Sequence, residues 1–301
     1  MERMCADKEK PIGLLSCKDK KGTNMQFSVL MSVYKNEKVE FFKQALDSVI
    51  TQTLVPDEII LIRDGEVPEV LQNAIDEYLS KYPKLFTYIP LETNGGLGNA
   101  LRIGVERAKN EIIARMDTDD ICVPNRFEKQ MRFMQDNPQV DIVGGNIAEF
   151  TDTPERIVDY RIVPSSHEEI EEFIKKRSPF NHMTVVFKKQ SVLKANNYQS
   201  FYLFEDWYLW LRMYLQGCKF ANLDEILVFA RTTDMSVRRG GWKYYKSCKK
   251  LLKFMKKNKI IGFFSYMKSS IIRFCGYVLI PNKLRAWCYK KFLRIDKENI
   301  G

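Results

Sequence analysis

The chain has 301 residues, 45% of them hydrophobic and 29% charged, which excludes an intrinsically disordered protein and suffices to bury a sizeable core as one large domain or two small ones. The net charge of +10 is unevenly placed: residues 238–301 carry 18 Lys and Arg against two acids, Asp296 and Glu298, leaving 30 bases against 36 acids in the first 237 residues. Seven scattered cysteines without CxxC spacing or a secretory signal read as reduced thiols of a cytoplasmic protein, two histidines are too few for a His-rich metal site, and no apolar run reaches the length of an uncharged membrane span.

Residues 1–26 are polar, Lys-rich and without periodicity, so they are expected to form a poorly ordered extension, with the folded part starting near Met25. Phe27–Tyr34 is the first buried strand, and Val39–Gln52 follows as a helix with Phe42, Leu46, Val49 and Ile50 at helical spacing. Glu58–Ile62 is a second strand that runs into Arg63-Asp64-Gly65, and Val67–Lys81 is a second amphipathic helix. Phe86–Pro90 is a short third strand, followed by the loop Asn94-Gly95-Gly96-Leu97-Gly98 and a helix over Asn99–Ala108. Glu111–Met116 is the fourth strand. Strands alternating with helices predict an α/β fold with a parallel sheet covered on both faces, whose ligands bind beyond the carboxyl ends of the strands. Ser32–Tyr34, Asp64-Gly65, the Asn94 loop and Asp117–Asp120 all sit at those ends.

Past Asp120 the rhythm becomes mixed. Arg126–Asn137 reads as a helix, Val140–Phe150 as a strand broken at Gly144-Gly145, Ile157–Arg161 as a further strand and His167–Lys176 as a helix with acids first and bases last. Met183–Lys188 is a strand, Phe204-Glu205-Asp206 opens an aromatic helix through Gln216, and Phe220–Phe229 returns as strand. This half is expected to extend the same sheet.

Asp117-Thr118-Asp119-Asp120 places three carboxylates within four residues at a strand end, where they repel one another unless a cation sits among them. Alternation along an extended chain puts Asp117 and Asp119 on one side, able to grip one hard metal ion, whereas a solvated turn before Pro124 is the plain alternative. Asp64, before glycine, suits a carboxylate that accepts a hydrogen bond from a base or ribose, or else a simple Asp-Gly turn. The Asn94 loop lets backbone approach a ligand closely, but neither GxGxxG with a ribose-binding acid nor GxxxxGK[ST] is present, so dinucleotide and P-loop chemistry are disfavoured. Arg102 and Arg126 are candidates to face a diphosphate. Glu205-Asp206 lies among Phe201, Tyr202, Phe204, Trp207, Tyr208 and Trp210, where a carboxylate is costly to bury unless used; it reads as a general base of raised pKa beside its orienting neighbour, or as acids favoured in a first helical turn.

These stretches in order resemble the family 2 glycosyltransferases of the GT-A fold over about residues 27–235. The carrying motifs are Phe27–Tyr34 with Asn36-Glu37, Asp57–Gly65, Asn94–Arg102, Met116–Asp120 with Pro124 and Arg126, and Phe204–Arg212. The resemblance implies a Rossmann-like, mostly parallel mixed sheet with helices on both faces, spanning residues 27–237. It implies a DxD motif at Asp117 and Asp119 that holds Mn²⁺ or Mg²⁺ on the diphosphate of a UDP-sugar, with Asp120 structural or supporting. It implies Asp64 as the acid that reads uracil, with Ser32, Tyr34, Glu37, Asn94, Arg102 and Asp117 around the nucleotide. Asp206 would be the base that deprotonates the acceptor hydroxyl, beside Glu205; His182, Arg231 and Trp207 are candidates for acceptor or diphosphate contacts. The family setting is an inverting transfer of one sugar, glucose or galactose, to a polyprenyl-diphosphate-linked saccharide in bacterial O-antigen, capsule or exopolysaccharide assembly. Two departures stand out: Arg231 is followed by Thr232-Thr233-Asp234 where many relatives carry His, which leaves the third metal ligand open, and no QxxRW motif is present, which disfavours processive synthesis.

Residues 238–301 form a basic tail. Gly240–Lys259 is a Lys-rich helix with Leu251, Leu252, Phe254 and Met255 on one face, and Ile260–Arg294 mixes aromatic and aliphatic residues with Lys and Arg; its most apolar part, Ile260–Pro281, is interrupted by Lys268 and Arg273. This composition suits amphipathic, membrane-associating helices on the cytoplasmic face of the inner membrane better than a nucleic-acid interface, which is not expected. The competing readings are a sugar-1-phosphate nucleotidyltransferase, which would want a Gly-rich, basic loop where Ser32–Glu37 stands, and an inactive membrane-bound scaffold of the same fold.

Overall fold

A computed structural model describes residues 25–232, 240–281 and 284–285; most of the expected extension over 1–26 and the end of the tail lie outside these residues. Strands β1 (Phe27–Val33), β2 (Glu58–Arg63), β3 (Phe86–Pro90) and β4 (Ile112–Arg115) alternate with helices α1 (Val39–Ile50), α2 (Glu69–Lys81) and α3 (Leu97–Arg107). The second half adds β5 (Ile121–Cys122), α4 (Arg126–Asp136), β6 (Ile142–Phe150), β7 (Ile157–Arg161), α5 (His167–Phe173), a 3₁₀ turn at His182–Thr184, β8 (Val186–Lys188), α6 (Lys189–Lys194), α7 (Glu205–Leu215) and β9 (Phe220–Arg231). All nine strands join one sheet in the order β3-β2-β1-β4-β8-β6-β9-β5, with β7 on β6. β1 pairs in parallel with β2 and β4, β2 with β3, and β6 with β9; the β8 contacts and the β5–β9 and β6–β7 pairs are antiparallel. The expected α/β sheet with helices on both faces is therefore present, and the second half extends it.

The apolar runs explain the layers. Side chains alternate along each strand, so Phe27, Val29, Met31 and Val33 of β1 with Ile59 and Leu61 of β2 face α1, α2 and α4 through Phe42, Leu46, Ile75 and Phe127. Leu30, Ile60 and Ile62 point the other way, onto Leu101 and Val105 of α3 and Trp210 of α7. Strands buried on both faces need apolar residues at every position, which is why the sequence shows runs there and not alternation. The expected break at Gly144-Gly145 is instead a register irregularity inside a continuous β6, where a Cβ on Gly145 would come within 2.4 Å of the Leu227 side chain. β8 is shorter than Met183–Lys188 because the 3₁₀ turn takes its start, and α5 ends at Phe173 after opening on a capping box between Ser166 and Glu169.

Two further helices, α8 (Gly241–Lys257) and α9 (Phe263–Phe274), the latter running into a π-helical turn at Cys275–Leu279, pack beside α7. Ring pairs Phe204–Tyr244 at 4.8 Å and Tyr208–Phe254 at 4.9 Å join α8 to α7. Among the described residues no helix is long and apolar enough to cross a membrane, and Cys122, Cys218, Cys248 and Cys275 are free thiols.

Candidate functional site

The parallel strands deliver their carboxyl ends to one edge. Val33 of β1 lies opposite Arg63 of β2, so Tyr34 and Asp64 emerge side by side. Gly65 follows Asp64 at φ +83°, where a Cβ would come within 2.7 Å of the Asn94 backbone nitrogen; only glycine lets the two loops approach this closely. Asp64 is 3% exposed, and its two carboxylate oxygens accept the Gly95 N–H at 2.8 Å and the Gly96 N–H at 2.9 Å, while the Asn94 amide donates to its carbonyl. Asp64 thus fixes the glycine loop that leads into α3. Tyr34 is exposed beside it.

β4 ends at Arg115, so Asp117 and Asp119 lie beyond the strand, and the expected alternation is not what places them together. They are brought together by a turn whose other members are anchored. Thr118 donates to the Ser32 carbonyl at 3.2 Å and to Glu37 Oε2 at 2.6 Å. Asp120 is buried and accepts the Arg231 N–H at 2.7 Å, and the Arg231 guanidinium donates to the Asp119 carbonyl at 3.2 Å and stacks 3.7 Å over Phe41. One oxygen from each of Asp117, Asp119 and Asp120 lies within 4.8 Å of the others. Burial, with the charges of Asp117 and Glu37, pushes the Asp119 carboxyl up to about 7; burial, with the charges of Asp119 and Asp117, holds Asp120 well above the usual carboxylate range. Burial also raises Glu37, against the Thr118 hydrogen bond that favours its charge. A set of hard oxygens crowded until their charges are disfavoured fits a divalent cation such as Mg²⁺ or Mn²⁺, which would relieve the repulsion.

A residue that the sequence reading missed balances this charge. Arg115, the last residue of β4, is 2% exposed and forms an ion pair with Asp117, while its Nε and Nη1 have no hydrogen-bond partner. A guanidinium in the otherwise apolar run Ile112-Ile113-Ala114-Arg115-Met116 was the available signal, since buried arginine is rarely placed without an anionic partner.

Glu205 and Asp206 open α7 on the other side of the crevice. The Glu205 Cβ would stand 3.4 Å from a Cβ built on Gly98, in the first turn of α3. Burial, then Asp206, pushes the Glu205 carboxyl up to about 7, with Arg115 opposing the rise and Asp117 adding to it. Asp206 Oδ2 accepts the Ser178 hydroxyl at 3.1 Å, from the loop after α5. A raised pKa of the kind expected at this pair is present at Glu205. Ser178 carries no sequence signal of its own.

Several candidates lie elsewhere. Arg102 pairs with Glu106 and Asn99 along the exposed side of α3, not with the acidic cluster. Arg126 is fully buried, donating to the Arg115 carbonyl at 2.7 Å and to Gln130, so it braces the end of β4 from behind and has no access to a diphosphate. Trp207 is buried, with its indole N–H on the Ile174 carbonyl at 2.9 Å, which makes it a packing residue and not an acceptor contact. His182 is part-buried, bonded to the Tyr198 hydroxyl at 2.9 Å and edge-on to Trp210; burial and the Arg115 charge hold its pKa well below the ordinary value. Arg231 clamps the aspartate turn, and of the three residues after it Thr233 and Asp234 lie outside the described residues. Of the remaining candidates, Ser32 and Glu37 are bonded to Thr118 of the aspartate turn, Asp117 and Asp119 share that turn, Asp64 and Asn94 are bonded to each other, and Tyr34 follows β1 beside Asp64.

Comparison with known proteins bears on the family and the fold. The model of glycosyl transferase family 2 matches residues 28–199. The amylovoran biosynthesis glycosyltransferase AmsE of Erwinia amylovora is 40% identical over 267 residues, 88% of this chain and 98% of the relative. A UDP-Gal:alpha-D-GlcNAc-diphosphoundecaprenol beta-1,3-galactosyltransferase of Escherichia coli is 36% identical over 270 residues, 89% of this chain and 97% of the relative. Among solved structures, residues 1–349 of S. aureus TarS in complex with UDP-GlcNAc superpose with a TM-score of 0.62 at 17% identity, covering 90% of this chain and 77% of that one.

Proposed function

The chain belongs to the family 2 glycosyltransferases and is a transferase enzyme of the GT-A fold, and from that premise we propose that it moves one hexose, galactose or glucose, from a UDP-sugar to a polyprenyl-diphosphate-linked saccharide with inversion at the anomeric carbon. Its relatives include a glycosyltransferase of exopolysaccharide biosynthesis and a galactosyltransferase acting on a lipid-linked GlcNAc, and this chain spans nearly their whole length. The setting is exopolysaccharide or O-antigen assembly at the cytoplasmic face of the inner membrane, with the protein held there peripherally.

The observation that supports the reading is the cluster of Asp117, Asp119 and Asp120 carboxylates beyond β4, together with Glu205-Asp206 at the start of α7, where Glu205 packs beside Gly98 at the end of the glycine loop that Asp64 holds. A transfer with inversion needs the leaving diphosphate stabilised on one side of the sugar and a base on the other. Asp117 and Asp119 would hold Mn²⁺ or Mg²⁺, which when bound neutralises charge developing on the departing UDP. Tyr34 offers an aromatic face for the base, and Asp64, through the glycine loop it fixes, shapes the floor beneath the nucleotide and retains lone pairs for uracil. Asp206, oriented by Ser178, takes the proton of the acceptor hydroxyl as it attacks. Glu205, poised near neutrality, stands between the two halves.

The test is a UDP-release screen of UDP-galactose, UDP-glucose and UDP-GlcNAc against a glycosyl-diphosphopolyprenol analogue, with and without Mn²⁺. Metal-dependent release with a UDP-hexose, tied to addition of a single sugar to the acceptor, is the expected result. Release without product, or no release with any sugar nucleotide, would leave the inactive scaffold as the better reading.

A further inference from the structure

The part of the molecule that the reaction does not use is the outer side of α9. Eight of the 13 exposed large hydrophobic side chains of the described residues lie between Trp242 and Leu284. On α9 they form a stripe: Phe264, Met267 and Ile271 recur at three- and four-residue spacing, with Ile272 alongside and Leu279 continuing it past the helix end. Phe264 is 87% exposed, and Ile271, Ile272 and Leu279 are 58–61% exposed. The opposite side of the helix is occupied: Phe274 packs against Trp242 and Tyr245 of α8, and Ser270 is buried. Among the described residues the stripe is thus an unpartnered face on a helix already docked by its other side.

Its surroundings decide what would cover it. Residues 235–295 contain no Asp or Glu, and residues 240–281 contain ten Lys and Arg. Lys268 sits within the stripe, and Lys256 stands 5.1 Å over the Phe263 ring at its edge. An apolar stripe bordered by Lys256 and Lys268, on a segment without acids, complements an anionic lipid surface, where aromatic and aliphatic groups enter the acyl boundary and long Lys side chains reach the phosphates. A second copy of the chain would bring the same cations face to face.

The face is also wired to the reaction site. Arg273, on the docked side of α9, donates to the Lys176 carbonyl at 2.6 Å. Two residues on, Ser178 holds Asp206, and between them and α7 the Trp207 indole binds the Ile174 carbonyl. On α8, Ser247 donates to the Tyr202 carbonyl at 2.8 Å, just before the start of α7. Anything that fixes α9 therefore fixes the helix that carries Glu205-Asp206.

We propose that the Phe264–Met267–Ile271–Leu279 face of α9 inserts into the headgroup layer of an anionic bilayer and so docks the Asp206 side of the crevice at the membrane surface. Its role in catalysis rests on the lipid-linked acceptor proposed above; the docking itself does not. The purified full chain is sedimented with vesicles of phosphatidylcholine alone and of phosphatidylcholine mixed with phosphatidylglycerol, alongside the exposed-face variants Phe264→Glu and Ile271→Glu, with light scattering to read self-association. The wild type should bind the phosphatidylglycerol vesicles, less tightly as salt rises, and each variant should lose at least about tenfold in partitioning, the loss expected for removing one buried large side chain. Thermal unfolding and UDP release with a soluble acceptor should be unchanged in the variants, since neither residue touches the crevice. Absence of vesicle binding by the wild type, equal binding by the variants, or a change in self-association without a change in vesicle binding would each overturn the proposal. Vesicle binding without use of any UDP-sugar would instead fault the functional reading, so the two fail separately.

Discussion

The two halves of the crevice are held very differently. On the proposed donor side most groups are tied by neighbours: Asp117 by Arg115 at the end of β4, Glu37 and the Ser32 carbonyl by Thr118, Asp120 by the Arg231 backbone, and Asp64 by the amides of its glycine loop. On the acceptor side Asp206 takes one side-chain hydrogen bond, from Ser178, on a loop that is itself braced by Trp207 and Arg273. The donor half is preorganised by the sheet, as a site for a strongly charged diphosphate and cation must be. The acceptor half hangs from a helix whose position depends on what packs behind it. In the proposed reaction the contrast would separate residues that bind the donor from residues that carry the transfer.

The largest effect should come from the donor side. Asp119→Ala removes a ligand and should cut metal-dependent UDP release by about 10³-fold or more, the loss of several kcal/mol of charge stabilisation. Asp206→Asn should lower kcat by about 10²–10⁴-fold, the range for a lost general base, with KM for the UDP-sugar little changed. Glu205→Gln should cost only about tenfold, because it removes a charge neighbour and not the base; a larger loss for Glu205→Gln than for Asp206→Asn would move the base to Glu205.

The pH dependence sharpens the same contrast. Asp119 has its carboxyl raised from 3.8 to about 7, so the metal-free folded protein keeps a proton that the unfolded chain has given up. Such a protein loses stability as pH rises from about 4 toward 7, and Glu205, also raised to about 7, adds in the same direction. The metal-free Tm should fall by about 5 °C over that window, and Asp119→Asn should flatten the slope. Mn²⁺ requires the ionised carboxylate, so its affinity should weaken about tenfold for each pH unit below 7.

The smallest effect is expected at Ser178→Ala, where losing one hydrogen bond to a carboxylate should lower kcat about threefold to tenfold and leave UDP-sugar binding alone. Because Ser178 acts through Asp206, its loss should have no effect in an Asp206→Asn background, a non-additivity that a merely structural role would not show.

Much of this was readable from the chain because it is local. β1, β2 and β4 are buried on both faces, so they appear as unbroken apolar runs, and the acids that follow them mark the carboxyl edge of the sheet without further information. Asp64, Asp117 and Asp119 were singled out in this way, whereas Glu205 and Asp206 were singled out as carboxylates in an aromatic run. Side chains whose role depends on partners distant in sequence were not: Thr118 meets Glu37 across 81 residues, and Ser178 meets Asp206 across 28. Arg126 and Trp207 were assigned outward-facing tasks because residue type does not reveal which side of a helix turns inward. β5, two residues long, and α6, six residues long, are too short to leave a periodic signal.

The division of labour between the two halves is most directly tested by UDP binding in the presence of Mn²⁺, measured calorimetrically for the wild type, Asp206→Asn and Asp119→Ala. Asp206→Asn should bind UDP and metal as the wild type does while transferring sugar about 10²–10⁴-fold more slowly, and Asp119→Ala should lose about 100-fold or more in affinity, beyond the range for a merely supporting residue. Equal losses in both variants, or full affinity retained by Asp119→Ala, would contradict the separation of donor and acceptor roles.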